Sequence, residues 1–419
     1  MHPSQLIDET AQLIAQLLRF EYPADATVSH YFRGNKSLGP RDRATLAEAA
    51  YCVLRLKPRF EHFAQSASGA PMRRLALLGL SHATGLPLES ATTPAERAWL
   101  VAACKAQAVS ELPVPLQHCL PTWLANALNA QYGPAYLPLA QSLLQAAPLD
   151  LRVNTLKAKR DDVLAALKAR GIDAQATAYS PIGIRLSGKP AIQHWPEFEQ
   201  GMVEVQDEGS QLLALLVDAK RGEMVADFCA GAGGKTLALG AAMRNTGRLY
   251  AFDVSAKRLD KLKPRLARSG LSNVHPVAIE HERDQRVKRL AGKMDRVLVD
   301  APCSGLGTLR RNPDLKWRQN PQTIDEMMAK QLAILTAAAT LVRPGGKLVY
   351  ATCSLLAKEN QNIVTQFIEA QPNFAPEPLS DWTRKYQIGS SEGEECQLSL
   401  SPALHGTDGF FAVVLSHHL

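Results

Sequence analysis

The chain has 419 residues, too many for one ordinary domain, so two or three are expected. Hydrophobic residues make up 46% and charged residues 21%, which supports buried cores and excludes a disordered chain. The net charge of +7 fits a polyanionic partner such as nucleic acid, although charge alone identifies none.

Residues 1 to about 147 read as helices only. Leu6, Leu13, Leu17 and Leu18 fall near helical spacing, and alanine- and leucine-rich stretches follow at 41–56, 72–82, 94–108 and 121–131. Prolines at 113 and 115 and the pair Gly133-Pro134 punctuate them. From 148 to 203 the pattern suits a small α+β module, with strands at Leu151–Leu156 and Ile182–Leu186 around a helix at Arg160–Arg170. Residues 204–419 then alternate helix and strand. Apolar runs at Met224–Cys229, Arg248–Asp253, Val274–Ile279, Asp295–Asp300 and Lys347–Cys353 predict a doubly wound, mostly parallel α/β sheet, closed by Phe410–Leu415. No stretch reaches the roughly 18 apolar residues of a membrane span. Asp8 and Glu9 interrupt the N-terminal pattern, so no secretory leader is read there. The chain is expected to be soluble, cytoplasmic and monomeric.

The segment Val225-Ala-Asp-Phe-Cys-Ala-Gly-Ala-Gly-Gly-Lys-Thr236 ends a strand in a glycine-rich turn and opens a helix. Such a turn lets a ligand approach the backbone and its free N–H groups. A phosphate-binding loop would need glycine where Cys229 stands, and a dinucleotide fingerprint would need one at Thr236. A nucleoside-bearing cofactor without phosphates makes neither demand. Asp253, 20 residues after Gly233 at the end of the next strand, could accept from both ribose hydroxyls. S-adenosylmethionine fits, beside the plainer reading of a structural turn.

Seven cysteines, odd in number and without Cys-x-x-Cys, argue against a disulfide framework or structural zinc site. Two stand out. Asp300-Ala-Pro-Cys303-Ser and Ala351-Thr-Cys353-Ser each follow a predicted strand. Ligands bind beyond the carboxyl ends of such strands. Neighbouring strands lie about 4.8 Å apart, so the two thiols could converge on one substrate atom. A thiolate adding to carbon 6 of cytosine would make carbon 5 enamine-like and able to take a methyl group, after which the carbon-5 proton must leave. A lone cysteine is more often a buried small hydrophobe; two at matching strand ends, each followed by serine, shift the balance. Which one attacks stays open on placement alone.

With Val205-Gln-Asp-Glu-Gly-Ser-Gln211, Arg310-Arg-Asn-Pro-Asp-Leu-Lys-Trp317, Glu359-Asn360 and Gly406–Phe411 added to these motifs, the chain resembles the NOL1/NOP2/Sun family of RNA 5-methylcytosine methyltransferases, nearest its bacterial RsmB-type branch. The resemblance covers most of the chain. It implies a Rossmann-like methyltransferase sheet over 204–419, a small RRM-like module over 148–203 and an all-helical NusB-like RNA-binding domain over 1–147. It implies Cys353 as nucleophile and Cys303 as the group that promotes product release. S-adenosylmethionine would be held by Cys229, Ala230, Gly231, Ala232, Gly233, Gly234 and Lys235, with Asp253, Arg258, Glu280 and Asp300. The turn departs from the family's usual Ala-Ala-Pro-Gly-Gly-Lys, and Glu280 stands in a Glu-His-Glu run where the family places an aspartate.

RNA, expected to be ribosomal RNA of the small subunit, would meet Arg310, Arg311, Lys316 and Trp317, which combine phosphate-binding charge with a stacking ring. A surface loop with a core tryptophan is the plainer alternative. Arg33, Lys36, Arg41 and Arg43 would form the RNA-facing edge of the helical domain. His281 and Glu282 complete no His-Glu-x-x-His pattern, so no metal is expected. A transfer RNA substrate is the nearest variant, and a non-catalytic RNA-binding or assembly factor is the reading from another class. A nicotinamide-dependent oxidoreductase is more distant because the third fingerprint glycine is missing.

Overall fold

The computed structural model of the chain describes every residue except 106–110, 390–394 and 419. It divides into two compact units. One comprises Met1–Ala146 with Thr308–Pro321, the other Ala147–Gly307 with Gln322–Leu419.

The first unit contains helices Pro3–Leu17, Ala24–Gly34, Pro40–Ala64, Pro71–Thr84, Pro94–Lys105, Val114–His118, Thr122–Tyr132 and Tyr136–Ser142. Of the helix predicted over 94–108, residues 106–108 lie outside the described residues. Pro3, Pro40 and Pro71 open three of these helices, where a missing N–H costs no hydrogen bond. Ile7, Leu13, Leu46, Val53, Phe60 and Leu77 are buried in one core.

The helix predicted over 41–56 continues to Ala64 across a kink at Leu56 (φ −106°, ψ 19°). Pro58 explains the kink, since it has no N–H to return to the Leu54 carbonyl and its ring crowds that oxygen. Trp317 Nε1 donates to Leu54 O at 2.9 Å, and Lys316 Nζ donates to Arg55 O at 2.7 Å. The segment Thr308–Pro321 therefore caps carbonyls at the kink and belongs to the helical unit.

In the second unit, β1 (Leu149–Val153), β2 (Ala174–Ala176), β3 (Gly183–Leu186) and β4 (Val203–Val205) form an antiparallel sheet in the order β2-β3-β1-β4. Val163 and Leu167, on the helix Arg160–Ala169, are buried with Leu151 and Ile184. The predicted strands correspond to β1 and β3; β2 and β4, three residues each, are too short to show alternation.

The larger sheet contains β5 (Met224–Asp227), β6 (Arg248–Asp253), β7 (Val274–Ala278), β8 (Met294–Asp300), β9 (Val342–Thr352), β10 (Phe374–Pro376), β11 (Gln397–Leu400) and β12 (Phe410–His417). Its order is β10-β12-β9-β8-β5-β6-β7, with β11 paired to β12. Strands β5 to β9 pair in parallel, and β12 runs antiparallel to β9. The expected doubly wound α/β fold is present. Successive residues alternate between two cores: Val297, Val299, Leu348 and Tyr350 face one, while Leu298, Val349 and Ala351 face the other. Burial on both faces is what turns these strands into continuous apolar runs. From β5 the chain winds to β6 and β7 on one side, then to β8 and β9 on the other. The crevice at such a switch point is where this fold binds ligands. Among the described residues, no helix is long and apolar enough to cross a membrane.

Candidate functional site

The glycine turn leaves β5 and enters the helix Gly234–Ala242. Gly231 (φ 58°) and Gly233 (φ 81°) adopt the left-handed conformation that glycine tolerates best. A Cβ on Gly233 would lie 2.1 Å from Leu262 Cδ1, and one on Gly231 would lie 2.5 Å from Arg258 Nη2. Gly231 N donates to Asp253 Oδ2 at 2.8 Å, and Ser255 N donates to Asp253 Oδ1 at 2.8 Å. Arg258 Nη1 stands 3.6 Å from the Asp253 carboxylate. Arg152 of β1 and Arg265 hold the turn from behind, donating at 2.6 Å to the carbonyls of Gly234 and Ala232 respectively.

Lys235 Nζ donates to Asp300 Oδ2 at 2.6 Å. Burial opposes the lysine's charge, but the neighbouring Asp300 carboxylate outweighs it and raises the ammonium above its ordinary range. Beneath the turn, Asp227 is buried and accepts from Thr236 Oγ1 at 2.6 Å through one oxygen. Its other oxygen is buried without a hydrogen-bond partner. Burial pushes this carboxyl up to about 6 against the lowering effect of Thr236.

The two cysteines meet. Strands β8 and β9 run in register, Asp300 opposite Ala351, so both turns leave the sheet at the same level. Cys303 Sγ lies 3.2 Å from Cys353 Sγ, and Cys353 N donates to Cys303 Sγ at 3.3 Å. The hydrogen bond to Cys353, burial, and the negative charges of Cys353 and Glu359 push the Cys303 thiol well above its ordinary range. Cys303 thus holds its proton beside Cys353.

Both thiols line a cavity of about 440 Å3 that also reaches Cys229, Asp253, Arg258 and Asp300. Sequence-predicted residues at or beyond the ends of four strands, β5, β6, β8 and β9, are therefore brought to one space. Phe228, Val254, Ile279, Glu282 and Lys330 are also part of its wall, and sequence reasoning missed them as site residues. Phe228, Val254 and Ile279 each stand just past a strand end, and that position could have signalled them.

Glu280 lies outside this cavity. Its side chain is 83% exposed, 4.0 Å from Arg286, and does not line the cavity; Glu282 does. Asp284 explains the difference. Its carboxylate accepts from the backbone N–H groups of Glu280 and Arg286, setting the turn that carries the two glutamates.

The expected RNA-facing set also changes. Lys316 is 2% exposed and Arg310 5% exposed. Lys316 and Trp317 spend their donors on the kinked helix, and the Arg310 carbonyl accepts from Arg55 Nη2 at 2.9 Å. Arg311 is half-buried. All four belong to the helical unit, and a buried ammonium bonded to a carbonyl does not present itself to a phosphate. Arg33, Lys36 and Arg43 line a separate cavity of about 730 Å3 in that unit, with Phe32 and Tyr51.

Residues 214–416 match the family described as 16S rRNA methyltransferase RsmB/F, and residues 120–193 match the RsmF/B-like ferredoxin-like domain. The "Probable ribosomal RNA small subunit methyltransferase B" of Synechocystis is 38% identical over 298 residues, covering 70% of this chain and 66% of the relative, just under two thirds. The ribosomal RNA small subunit methyltransferase B of Vibrio vulnificus is 31% identical over 409 residues, covering 91% of this chain and 92% of the relative. Among solved structures, a methyltransferase homolog protein from Pyrococcus horikoshii superposes with a TM-score of 0.63 at 30% identity, covering 74% of this chain and 99% of that one.

Proposed function

Because this chain belongs to the RsmB/F family of 16S rRNA methyltransferases, we propose that it methylates carbon 5 of a cytosine in small-subunit ribosomal RNA, with S-adenosylmethionine as methyl donor. The observation that carries this reading is the pair of sulfurs 3.2 Å apart in the same cavity as Asp253 and Cys229, which leads into the glycine turn.

The residues present suit the donor. Asp253 can accept from its ribose hydroxyls, with Arg258 beside it. Val254, 61% exposed, and buried Ile279 offer apolar surface to its adenine. The unpartnered buried oxygen of Asp227 is an acceptor suited to its amino group. Bound there, the cofactor supplies an electrophilic methyl group.

The rest falls to the protein. Cys353, as thiolate, adds to carbon 6 of the cytosine and makes carbon 5 the nucleophile. Cys303 keeps its proton while Cys353 is charged and hydrogen-bonded to it. Once Cys353 has become a neutral thioether, its charge no longer acts on Cys303, although burial and Glu359 still do. Cys303 can then release its proton to water and accept the one on carbon 5 as the carbon–sulfur bond breaks. Asp300, on the cavity wall and held by Lys235, orients the base.

Methyl transfer from labelled cofactor to a small-subunit rRNA transcript tests the proposal. Cys353→Ala is expected to abolish transfer, and full activity in that variant would overturn the assignment. Cys303→Ala is expected to accumulate a covalent protein–RNA complex, seen as a shifted band on a denaturing gel. Trapping by Cys353→Ala alone would reverse the two roles.

A further inference from the structure

Behind the thiols lies a carboxylate that the chemistry above does not use. Glu359 is fully buried at the end of the 3-10 turn Ala357–Glu359. It accepts from Ser304 N at 2.8 Å, Ser304 Oγ at 2.5 Å, Gln331 Nε2 at 3.0 Å, and Ser354 Oγ. Ser304 follows Cys303 and Ser354 follows Cys353. The two Cys-Ser pairs lie side by side, with sulfurs 3.2 Å apart at the cavity and serine hydroxyls 3.2 Å apart behind them.

The neighbours of Glu359 extend this hold to the other flank of each cysteine. Gln331 Nε2 also donates to Pro302 O at 2.9 Å, just before Cys303. Asn360 Oδ1 accepts from Thr352 Oγ1 at 2.6 Å, just before Cys353, and Asn360 Nδ2 donates to Ser354 O at 3.0 Å. Tyr350 Oη donates to the Glu359 carbonyl at 2.7 Å and anchors its backbone. A buried carboxylate is costly and persists only where donors hold it. Filling a core would be done more cheaply by an apolar side chain. What Glu359 achieves that an apolar residue could not is to bond both cysteine turns at once.

We propose that Glu359 is a positioning residue, which sets the separation of the Cys303 and Cys353 sulfurs by accepting hydrogen bonds from Ser304 and Ser354 together. Its catalytic consequence rests on the methyltransferase reading, because one sulfur must reach carbon 6 while the other serves carbon 5. Displacement of a reacting group by about 1 Å can cost a hundredfold in rate.

The test uses the full chain with Glu359→Gln, and a Ser304→Ala/Ser354→Ala double variant that keeps the carboxylate but removes its hydroxyl donors. Methyl transfer to a small-subunit rRNA transcript is expected to show kcat lowered roughly tenfold to a hundredfold in both, with KM for RNA within about twofold of the parent. Brief iodoacetamide treatment, read by peptide mass spectrometry, is expected to shift the Cys303-to-Cys353 labelling ratio several-fold. An unchanged kcat and labelling ratio in both variants would overturn the proposal. So would a loss of activity that merely follows the folded fraction seen in thermal unfolding. If Glu359→Gln does not fold, the double variant carries the same readings. Should the parent chain transfer no methyl group to RNA, the methyltransferase reading fails by itself, and the labelling ratio alone decides whether Glu359 holds the thiols.

Discussion

Asp227 and Lys316 both ionise away from their ordinary range, and burial is the largest cause in each. Asp227 titrates near 6 because burial penalises its charge more than the Thr236 hydrogen bond compensates. An acid raised in the folded state favours folding fully below its unfolded pKa and loses that contribution as pH rises through 6. Urea unfolding of the parent chain between pH 4 and 7 should therefore show a decline that Asp227→Asn removes. Lys316 is lowered to about 7, chiefly by burial and secondarily by the nearby cations Arg55 and Arg59. For a base lowered in this way the unfolded chain binds more protons between about 7 and 10, so stability rises with pH over that window. Lys316→Met should flatten the rise while leaving cofactor binding by the second unit unchanged.

At the scale of elements, the loop after Cys303 is tied to two others through glycine. Gly307 N donates to Cys353 O at 2.8 Å, and Gly409 N donates to Gly307 O at 2.8 Å. A Cβ on Gly307 would lie 2.1 Å from Gly409 O and 2.8 Å from Cys353 O, both backbone atoms that cannot rotate aside. Gly307→Ala should cost about 1–3 kcal/mol of stability, measured by denaturant titration, and should lower kcat by moving the Cys353 turn. The motif Gly406–Phe411, part of the family resemblance, is thereby seen to contribute a backbone contact through Gly409. The helix Pro40–Ala64 makes a parallel point. Its continuation past Leu56 was hidden because proline stops the periodic pattern, whereas donors from Lys316 and Trp317 at the kink allow the helix to resume.

Across the second unit as a whole, the small sheet and the large sheet share one site. Arg152 of β1 is fully buried in its surroundings, and burial lowers its guanidinium to about 10. It donates at 2.6 Å to the carbonyl of Gly234, where the glycine-rich turn becomes a helix. Arg152→Met should raise the KM for S-adenosylmethionine several-fold in a methyl-transfer assay while changing the KM for RNA little. Equal changes in both constants would point to general damage instead.

The primary structure by itself determined the succession of the main strands along the chain, the glycine turn with Asp253, and the two cysteines at matching strand ends. The physical reason is local: a strand buried on both faces must be continuously apolar, and left-handed turns favour glycine. It could not show which charged groups remain available, because that depends on contacts between residues far apart in the chain. Lys316 reads as a phosphate ligand until a carbonyl at the Pro58 kink claims it. Glu280 and Glu282 look alike until Asp284 sets their turn. Glu359 is one carboxylate among many until the tertiary structure places Ser304 and Ser354 against it. Tertiary packing also turned two cysteines 50 residues apart into sulfurs 3.2 Å apart, and a distance of that kind no spacing in the chain encodes.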